Sequence, residues 1–313
     1  MRDAVTTEAD IRLGLLGAGP WGQRYIATIK TLAGTRLAAV ASRNPATSTL
    51  VPPDCRVVED WRAVVAADDV DAIIVATPPQ LHAEMAEAAI EARRPVLVEK
   101  PLTLSLETAQ TLERKSQQRE VLVMVGHTQL FNAAFRKMKR SLPEIGLMRH
   151  IVSNSGNWGP FRPDVTALWD YAPHDLAMCI DLVEAVPTRV TARREAHEKI
   201  EGGLGERYLI DLTFPRNITA QIRVGNLVRP KRRRLEVQGT RGTLMFDDVA
   251  DQKLIQRLGH VEKALSYDAE LPLTTQVREF AAAVRFRRPA DASLQLGREV
   301  VEILARCEEQ IRR

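Results

Sequence analysis

Long apolar runs are missing from this chain. No stretch of its 313 residues approaches the roughly 20 consecutive apolar residues that cross a bilayer. That argues against a membrane-spanning protein. The first ten residues, MRDAVTTEAD, lack the apolar core of a secretory signal, so a cytoplasmic location is expected. Cysteine is scarce: Cys55, Cys179 and Cys307 are the only three, scattered and without a CxxC pair. Such a set excludes a disulfide framework and a zinc site, and no metal is expected. Charge of one sign is also lacking, the net charge being +4. The densest basic run, Lys231 to Arg234, leads straight into the strand-like Leu235-Glu236-Val237-Gln238. It reads as a solvated strand end that at most attracts an anionic substrate, and no nucleic-acid partner is expected. Internal repeats and low-complexity segments are absent.

What is present is an ordinary globular mixture, with 45% hydrophobic and 27% charged residues, in a chain long enough for two domains. From Ile11 to about Gly126, strand and helix patterns alternate. Segments 11–16, 36–41, 72–76, 96–98 and 121–125 are short, apolar and rich in Val and Ile. Several show no alternation, as strands buried on both faces of a parallel sheet should not. Helical patterns fall at 21–32, 80–92 and 105–119. This is the signature of a doubly wound α/β domain over residues 1–126. Beyond it, residues 127–313 form a second domain. A helix at 132–141 precedes a strand at 149–155 and a Gly/Pro-rich loop at 156–163. A further helix is expected from about Pro173 to Glu184. Strand patterns follow at 189–196, 207–214, 218–224, 234–238 and 243–246, joined by short turns. That predicts an α+β domain with a largely antiparallel sheet. Two amphipathic helices, 274–285 and 294–312, close the chain, and the last of them can pack back on the first domain.

Gly17-Ala18-Gly19-Pro20-Trp21-Gly22 is a complete GxGxxG that follows an apolar strand and opens a helix. In that context the first glycine permits the tight turn. The second lets backbone approach a pyrophosphate, and the third allows close helix–strand packing. The helix N-terminus faces the phosphate charge. A dinucleotide cofactor on a Rossmann domain follows, with Gly17, Gly19, Pro20, Trp21 and Gly22 around it. The second strand ends in Ser42-Arg43, where an NAD site usually places a carboxylate for the ribose 2′-hydroxyl. The lack of one favours NADP, with Arg43 pairing a 2′-phosphate. If Arg43 only stacks on the adenine, NAD serves equally well.

Two further strand ends carry Thr77-Pro78-Pro79-Gln80-Leu81-His82 and Val98-Glu99-Lys100-Pro101-Leu102. With the glycine loop, they make the chain resemble the glucose–fructose oxidoreductase/inositol dehydrogenase (Gfo/Idh/MocA) family over nearly its whole length. The resemblance implies that Lys100 contacts the reacting hydroxyl and the nicotinamide, that Glu99 positions the lysine, and that the Lys100–Pro101 bond is often cis. Lys100 also falls at a strand's carboxyl end, where open α/β sheets bind ligands. A lysine desolvated in a cleft can exchange protons near neutrality. Trp169-Asp170-Tyr171-Ala172-Pro173-His174-Asp175 resembles the family's second signature, an Asp-x-x-x-His pair that contacts substrate, so Asp170 and His174 inherit that role. With Pro173 in the first helical turn, Asp170 would lie in the turn before the helix, off its face. Asp175 would be a first-turn carboxylate favoured by the helix dipole. Thr77, Pro78 and His82 shape the cofactor cleft. His127 either lines the nicotinamide pocket or is a buried, bonded histidine. Arg162 is a candidate for gripping a substrate phosphate or hydroxyl.

The function expected is hydride transfer between NAD(P) and a hydroxyl or keto carbon of a sugar, nucleotide sugar or cyclic polyol. Segments 159–162, 169–175 and 239–242 together resemble a subgroup that includes UDP-N-acetylglucosamine 3-dehydrogenases. The glycine run that many relatives carry before the aspartate is replaced by Val165-Thr166-Ala167-Leu168. Two alternatives stand beside a dehydrogenase: an NAD-dependent glycosidase of the same fold, and a non-catalytic cofactor-sensing regulator. A homodimer or homotetramer is expected, associated through the second domain's sheet. In that sheet Ile210, Leu212 and Phe214, and also Ile222 and Val224, alternate with polar neighbours. One set would face the helices and the remainder another subunit.

Overall fold

The computed structural model describes residues 9–287 and 291–312. The chain divides into two compact units. The first contains a parallel sheet of six strands in the order β3-β2-β1-β4-β5-β6. Its strands are β1 (Ile11–Leu16), β2 (Thr35–Ala41), β3 (Arg56–Val58), β4 (Ala72–Val75), β5 (Val96–Glu99) and β6 (Val123–Gly126). Between them run α1 (Pro20–Thr31), α2 (Trp61–Val65), α3 (His82–Glu91) and α4 (Leu106–Arg119). Every residue of β4, β5 and β6 is buried, which explains why these strands carry apolar runs without alternation. Strand β3 and helix α2 were not anticipated. They have three and five residues, too short to establish a period. The chain order reverses between β1 and β4, so the crevice for a ligand opens at the carboxyl ends of these two strands.

The second unit is built on an eight-stranded sheet, β14-β13-β12-β11-β7-β10-β9-β8. The strands are β7 (Met148–Trp158), β8 (Arg189–Ile200), β9 (Gly203–Thr213), β10 (Thr219–Gly225), β11 (Leu227–Gly239), β12 (Gly242–Asp247), β13 (Leu254–Leu258) and β14 (Val261–Ala264). All neighbours are antiparallel except β7 and β10. Helices α5 (Ala133–Ser141) and α6 (Ala167–Val183) cover one face. The register shows this directly: Ser153, Leu235 and Phe246 form one cross-strand row. Ser153 bonds to Asp175 of α6, and the Phe246 ring packs edge-on against Phe135 of α5 at 6.1 Å. Tyr208, Ile210 and Leu212 of β9 lie opposite Val224, Ile222 and Ala220 of β10, and all six are buried. Cross-strand partners share a face, so the two apolar sets point the same way, and α6 lies against both strands. Neither set is left over for a second subunit.

Helix α6 begins at Ala167, not at Pro173. Proline favours a helix start because its missing N–H costs nothing there. Here it lies inside the helix, where buried packing on both sides of it outweighs one lost backbone bond. Helix α7 (Pro272–Arg285) and helix α8 (Asp291–Arg312) end the chain. Of the described residues, 273–287 and 291–295 belong to the first unit and 296–312 to the second. In the first unit Gln276 donates to the Tyr25 hydroxyl at 2.9 Å, and the Val125 amide donates to Ser293 Oγ at 3.0 Å. In the second, the Gln310 amide clasps the edge strand β8, bonding the Val190 carbonyl and the Ala192 N–H at 3.0 Å each.

Candidate active site

The glycine loop shows a division of labour. Gly17 has φ +98°, and a Cβ there would lie 2.7 Å from the Ala76 carbonyl oxygen. A Cβ at Gly22 would lie 2.1 Å from the Gly17 carbonyl oxygen. The fold itself therefore demands these two glycines. Gly19 differs: its φ of −66° is open to any residue, and a Cβ there would meet nothing within 4 Å. It is the N-cap of α1, with Pro20 beginning the helix and no side chain capping it. An exposed, uncapped helix N-terminus beside a glycine the protein does not need suits a pyrophosphate that comes close to backbone.

Around this loop the carboxyl ends of the neighbouring strands converge. The Gly17 N–H donates to the Ala41 carbonyl at 3.0 Å. The Ser42 hydroxyl is used locally, bonding Thr47 Oγ1 at 2.8 Å and accepting from the Asn44 N–H. Arg43 is exposed. Pro78 is exposed, and Thr77, half-buried, contacts the Met85 sulfur through its hydroxyl. His82 is buried and its two ring nitrogens lie 2.8 Å from the Pro101 carbonyl oxygen and 3.0 Å from that of Thr77. It thus ties the loop after β4 to the loop after β5. The Lys100–Pro101 bond is cis, and Lys100 is half-buried at the end of β5.

Glu99 is 6% exposed and held from three directions. Its Oε1 accepts from Trp21 Nε1 at 2.5 Å and from the Tyr25 hydroxyl at 2.6 Å. Its Oε2 accepts from the Lys100 N–H at 3.2 Å. Burial pushes this carboxyl above its ordinary range, while the bonds from Tyr25 and Trp21 and the Lys100 charge pull it back. Tyr25 and Gln276 were not singled out in the sequence. Tyr25 stands one turn after Trp21 on the same helix face, a legible sign. Gln276 lies 251 residues from Tyr25 and carries no local signal.

In the second unit, Asp170 lies in the first turn of α6, its N–H donating to the Thr166 carbonyl at 3.1 Å. Asp170 and His174 are therefore four apart on one helix, sharing a face, and both are half-buried. The Ala167 N–H at the helix start donates to the buried Glu206 carboxylate at 2.9 Å. Glu206 also accepts from the Tyr208 hydroxyl at 2.6 Å. This cap from a distant strand, also missed in the sequence, sets where α6 begins. Asp175 is not a first-turn carboxylate. It is buried deeper in the helix, and its Oδ1 accepts from the hydroxyls of Ser153 and Ser155. Burial, opposed by those bonds and by the Arg233 charge, pushes its pKa up to about 6. Arg162 forms a two-bonded pair with Asp164, at 3.0 and 2.6 Å, and comes within 3.8 Å of Asp170. Its hydrogen bonds hold Asp164 below the usual carboxylate range. Within the basic run, Lys231, Arg232 and Arg234 are exposed and Arg233 is half-buried. Arg233 pairs with Ser155, which puts it on the α6 face, where its charge acts on Tyr171 and Asp175. His127 is buried at the start of this unit.

Comparison with known proteins supplies independent findings. Residues 11–127 match the model of an oxidoreductase family with an NAD-binding Rossmann fold. Residues 135–245 match that of the GFO/IDH/MocA C-terminal domain. A solved structure described as an oxidoreductase from Magnetospirillum magnetotacticum is 42% identical, with a TM-score of 0.90 over 96% of this chain and 100% of that one. UDP-N-acetylglucosamine 3-dehydrogenase from Acidithiobacillus ferrooxidans is 27% identical over 93% of this chain and 94% of its own. An inositol 2-dehydrogenase from Acidothermus cellulolyticus is 26% identical over 85% and 84%.

Proposed function

From the chain's membership of the Gfo/Idh/MocA oxidoreductase family we propose its chemistry in finer terms: reversible oxidation of a secondary hydroxyl on a sugar, nucleotide sugar or cyclic polyol. The single observation that carries a bound dinucleotide is Gly19, a glycine whose side-chain space is open to solvent at an uncapped helix start. Gly17, Pro20, Trp21, Gly22, Thr77, Pro78 and His82 shape the surroundings of that loop. When bound, the nicotinamide accepts or returns the hydride. The protein's part is to hold the hydroxyl and move its proton. His174 takes the hydroxyl proton as general base, oriented by Asp170 four residues before it. The Lys100 ammonium stabilises the negative charge that develops on the oxygen as the proton leaves. His127 takes a supporting place in the cofactor pocket. Arg233 supplies positive charge on the α6 side, which favours a substrate bearing phosphate or carboxylate, whereas Arg162 would have to leave Asp164 to grip such a group.

NADP is the preferred cofactor in this reading, because exposed Arg43 follows the end of β2 with no acidic residue beside it in sequence. The protein is placed in the cytoplasm, where its three cysteines, all free and buried, stay reduced. Self-association is assigned to the sheet face turned away from α6. That face carries mixed charge, with Gln221 bridging Asp211 and Arg223 at 2.9 and 2.7 Å.

The test is a screen of UDP-N-acetylglucosamine and myo-inositol with NADP⁺ and NAD⁺, read at the reduced-nicotinamide absorbance. It is followed by Lys100→Met, His174→Ala and the double variant. Each single change is expected to lower turnover about 10²–10⁴-fold with cofactor binding retained. The double variant should be little worse than the poorer single one, because groups acting in one step are non-additive. Arg43→Ala is expected to weaken NADPH by about 1–3 kcal/mol more than NADH. Near-full turnover of Lys100→Met would remove lysine from the mechanism, and equal losses for both cofactors would remove the phosphate contact.

A further inference from the structure

The tryptophan of the glycine loop has its polar atom turned inward. Trp21 Nε1 is spent on the buried Glu99 carboxylate, while Arg24 stacks on the ring at 5.0 Å. Tyr25, fully buried, gives its hydroxyl to the same oxygen. Gln276, also fully buried, reaches from α7 to brace that hydroxyl. The remaining oxygen of Glu99 holds the main chain of Lys100. Space for the carboxylate exists because β6 ends in Gly126, where a Cβ would lie 2.9 Å from Oε1. A carboxylate this deep stays ionised only where donors replace the water it has lost.

We propose that Trp21 and Tyr25, braced by Gln276, are positioning residues for the reaction. By anchoring the Glu99 carboxylate they fix the main chain of Lys100, and they join the cofactor loop to the catalytic strand end. This rests on the reading of Lys100 as the group that acts on the substrate oxygen. Trp21 thereby has a second task beside its place in the cofactor loop. The groups that face Glu99 are Trp21 and Tyr25 of α1, the backbone of Gly126 of β6, and its own neighbour Lys100, with Gln276 of α7 one bond further out. Lys100 is the charged member of that set. Removing either neutral donor leaves burial less opposed, so the carboxyl takes up a proton at higher pH than before.

The experiment uses full-length protein saturated with NADPH, comparing wild type with Tyr25→Phe and Trp21→Phe, each close in shape to the residue it replaces. Amide hydrogen exchange at Lys100 should speed up about 10-fold or more in both variants, the size expected for losing a hydrogen bond to a charged group. Exchange in β1 should stay unchanged. In the wild-type proton NMR spectrum, the Trp21 indole N–H should be shifted downfield and titrate with Glu99, and its midpoint should move to higher pH in Tyr25→Phe. On any substrate turned over, the acidic limb of the pH–rate profile should move the same way. A purely structural role would lower thermal stability and leave the indole midpoint and the acidic limb in place, and that result overturns the proposal. Unchanged exchange at Lys100 also overturns it. Neither the exchange nor the NMR measurement needs turnover, so they judge the anchor even if Lys100→Met shows that the lysine has no part in the chemistry.

Discussion

Two glycines three residues apart have opposite reasons for being glycine. At Gly22 an added methyl would lie 2.1 Å from a carbonyl oxygen of its own loop, whereas at Gly19 it would meet nothing. Gly22→Ala should therefore lower thermal stability, by about 1–3 kcal/mol or more for an overpacked contact that backbone must relieve. Gly19→Ala should melt within about 1 kcal/mol of wild type, since its backbone is already in a region open to alanine. Its loss should be in NADPH affinity, measured by fluorescence titration. A Gly19→Ala protein that binds NADPH normally would mean that no phosphate approaches this backbone. Sequence spacing identified both glycines. The motif already gives them separate duties, backbone approach for Gly19 and close packing for Gly22, and the surroundings of each Cβ supply the distances behind that difference.

At the scale of elements, the parallel strands were legible because burial on both faces imposes unbroken apolar runs, and β1 falls at Ile11–Leu16 as its sequence suggests. Strands β13 and β14 at the sheet's far edge were not. Every residue of β14 is exposed, so no face of it is marked by apolar side chains. The start of α6 was misplaced for a different reason. Its capping group is Glu206, 39 residues further along the chain, and no local pattern announces a cap that arrives from another strand. That carboxylate satisfies a free N–H and lies at the positive end of the helix dipole. Glu206→Ala should cost about 1–3 kcal/mol, because the Tyr208 hydroxyl and the Ala167 N–H would both lose a charged acceptor while buried. Thermal unfolding measures it. Glu206→Gln should recover part of the loss. Equal losses for both variants would show that the charge, not the oxygen's position, matters at this helix start.

For the whole molecule, the face of the second sheet away from α6 is where self-association is expected. Light scattering at micromolar concentration should give at least a dimer, and Arg223→Glu, which reverses a charge on that face, should shift it toward monomer. A pure wild-type monomer would refute the assignment. The first unit raises a separate expectation, since it draws on segments from both ends of the chain, residues before 127 and residues 273–295. Phe280 of α7 is fully buried, Gln276 bonds to Tyr25 and Arg285 reaches the Ala9 and Gly34 carbonyls. A fragment of residues 1–126 should accordingly lack cooperative unfolding by circular dichroism and bind NADPH poorly. A fragment that melts sharply and binds as well as the full chain would show that α7 is dispensable.

That division also sets a timetable at the ribosome. Tyr25, beside the glycine loop, is made 251 residues before its partner Gln276. At about 5–20 residues per second the wait lasts on the order of 10 s. During it all strands of the second sheet emerge, while Tyr25 and the Ala9 and Gly34 carbonyls wait for Gln276 and Arg285 of α7. The glycine loop thus waits for α7 until every strand of both sheets has been made.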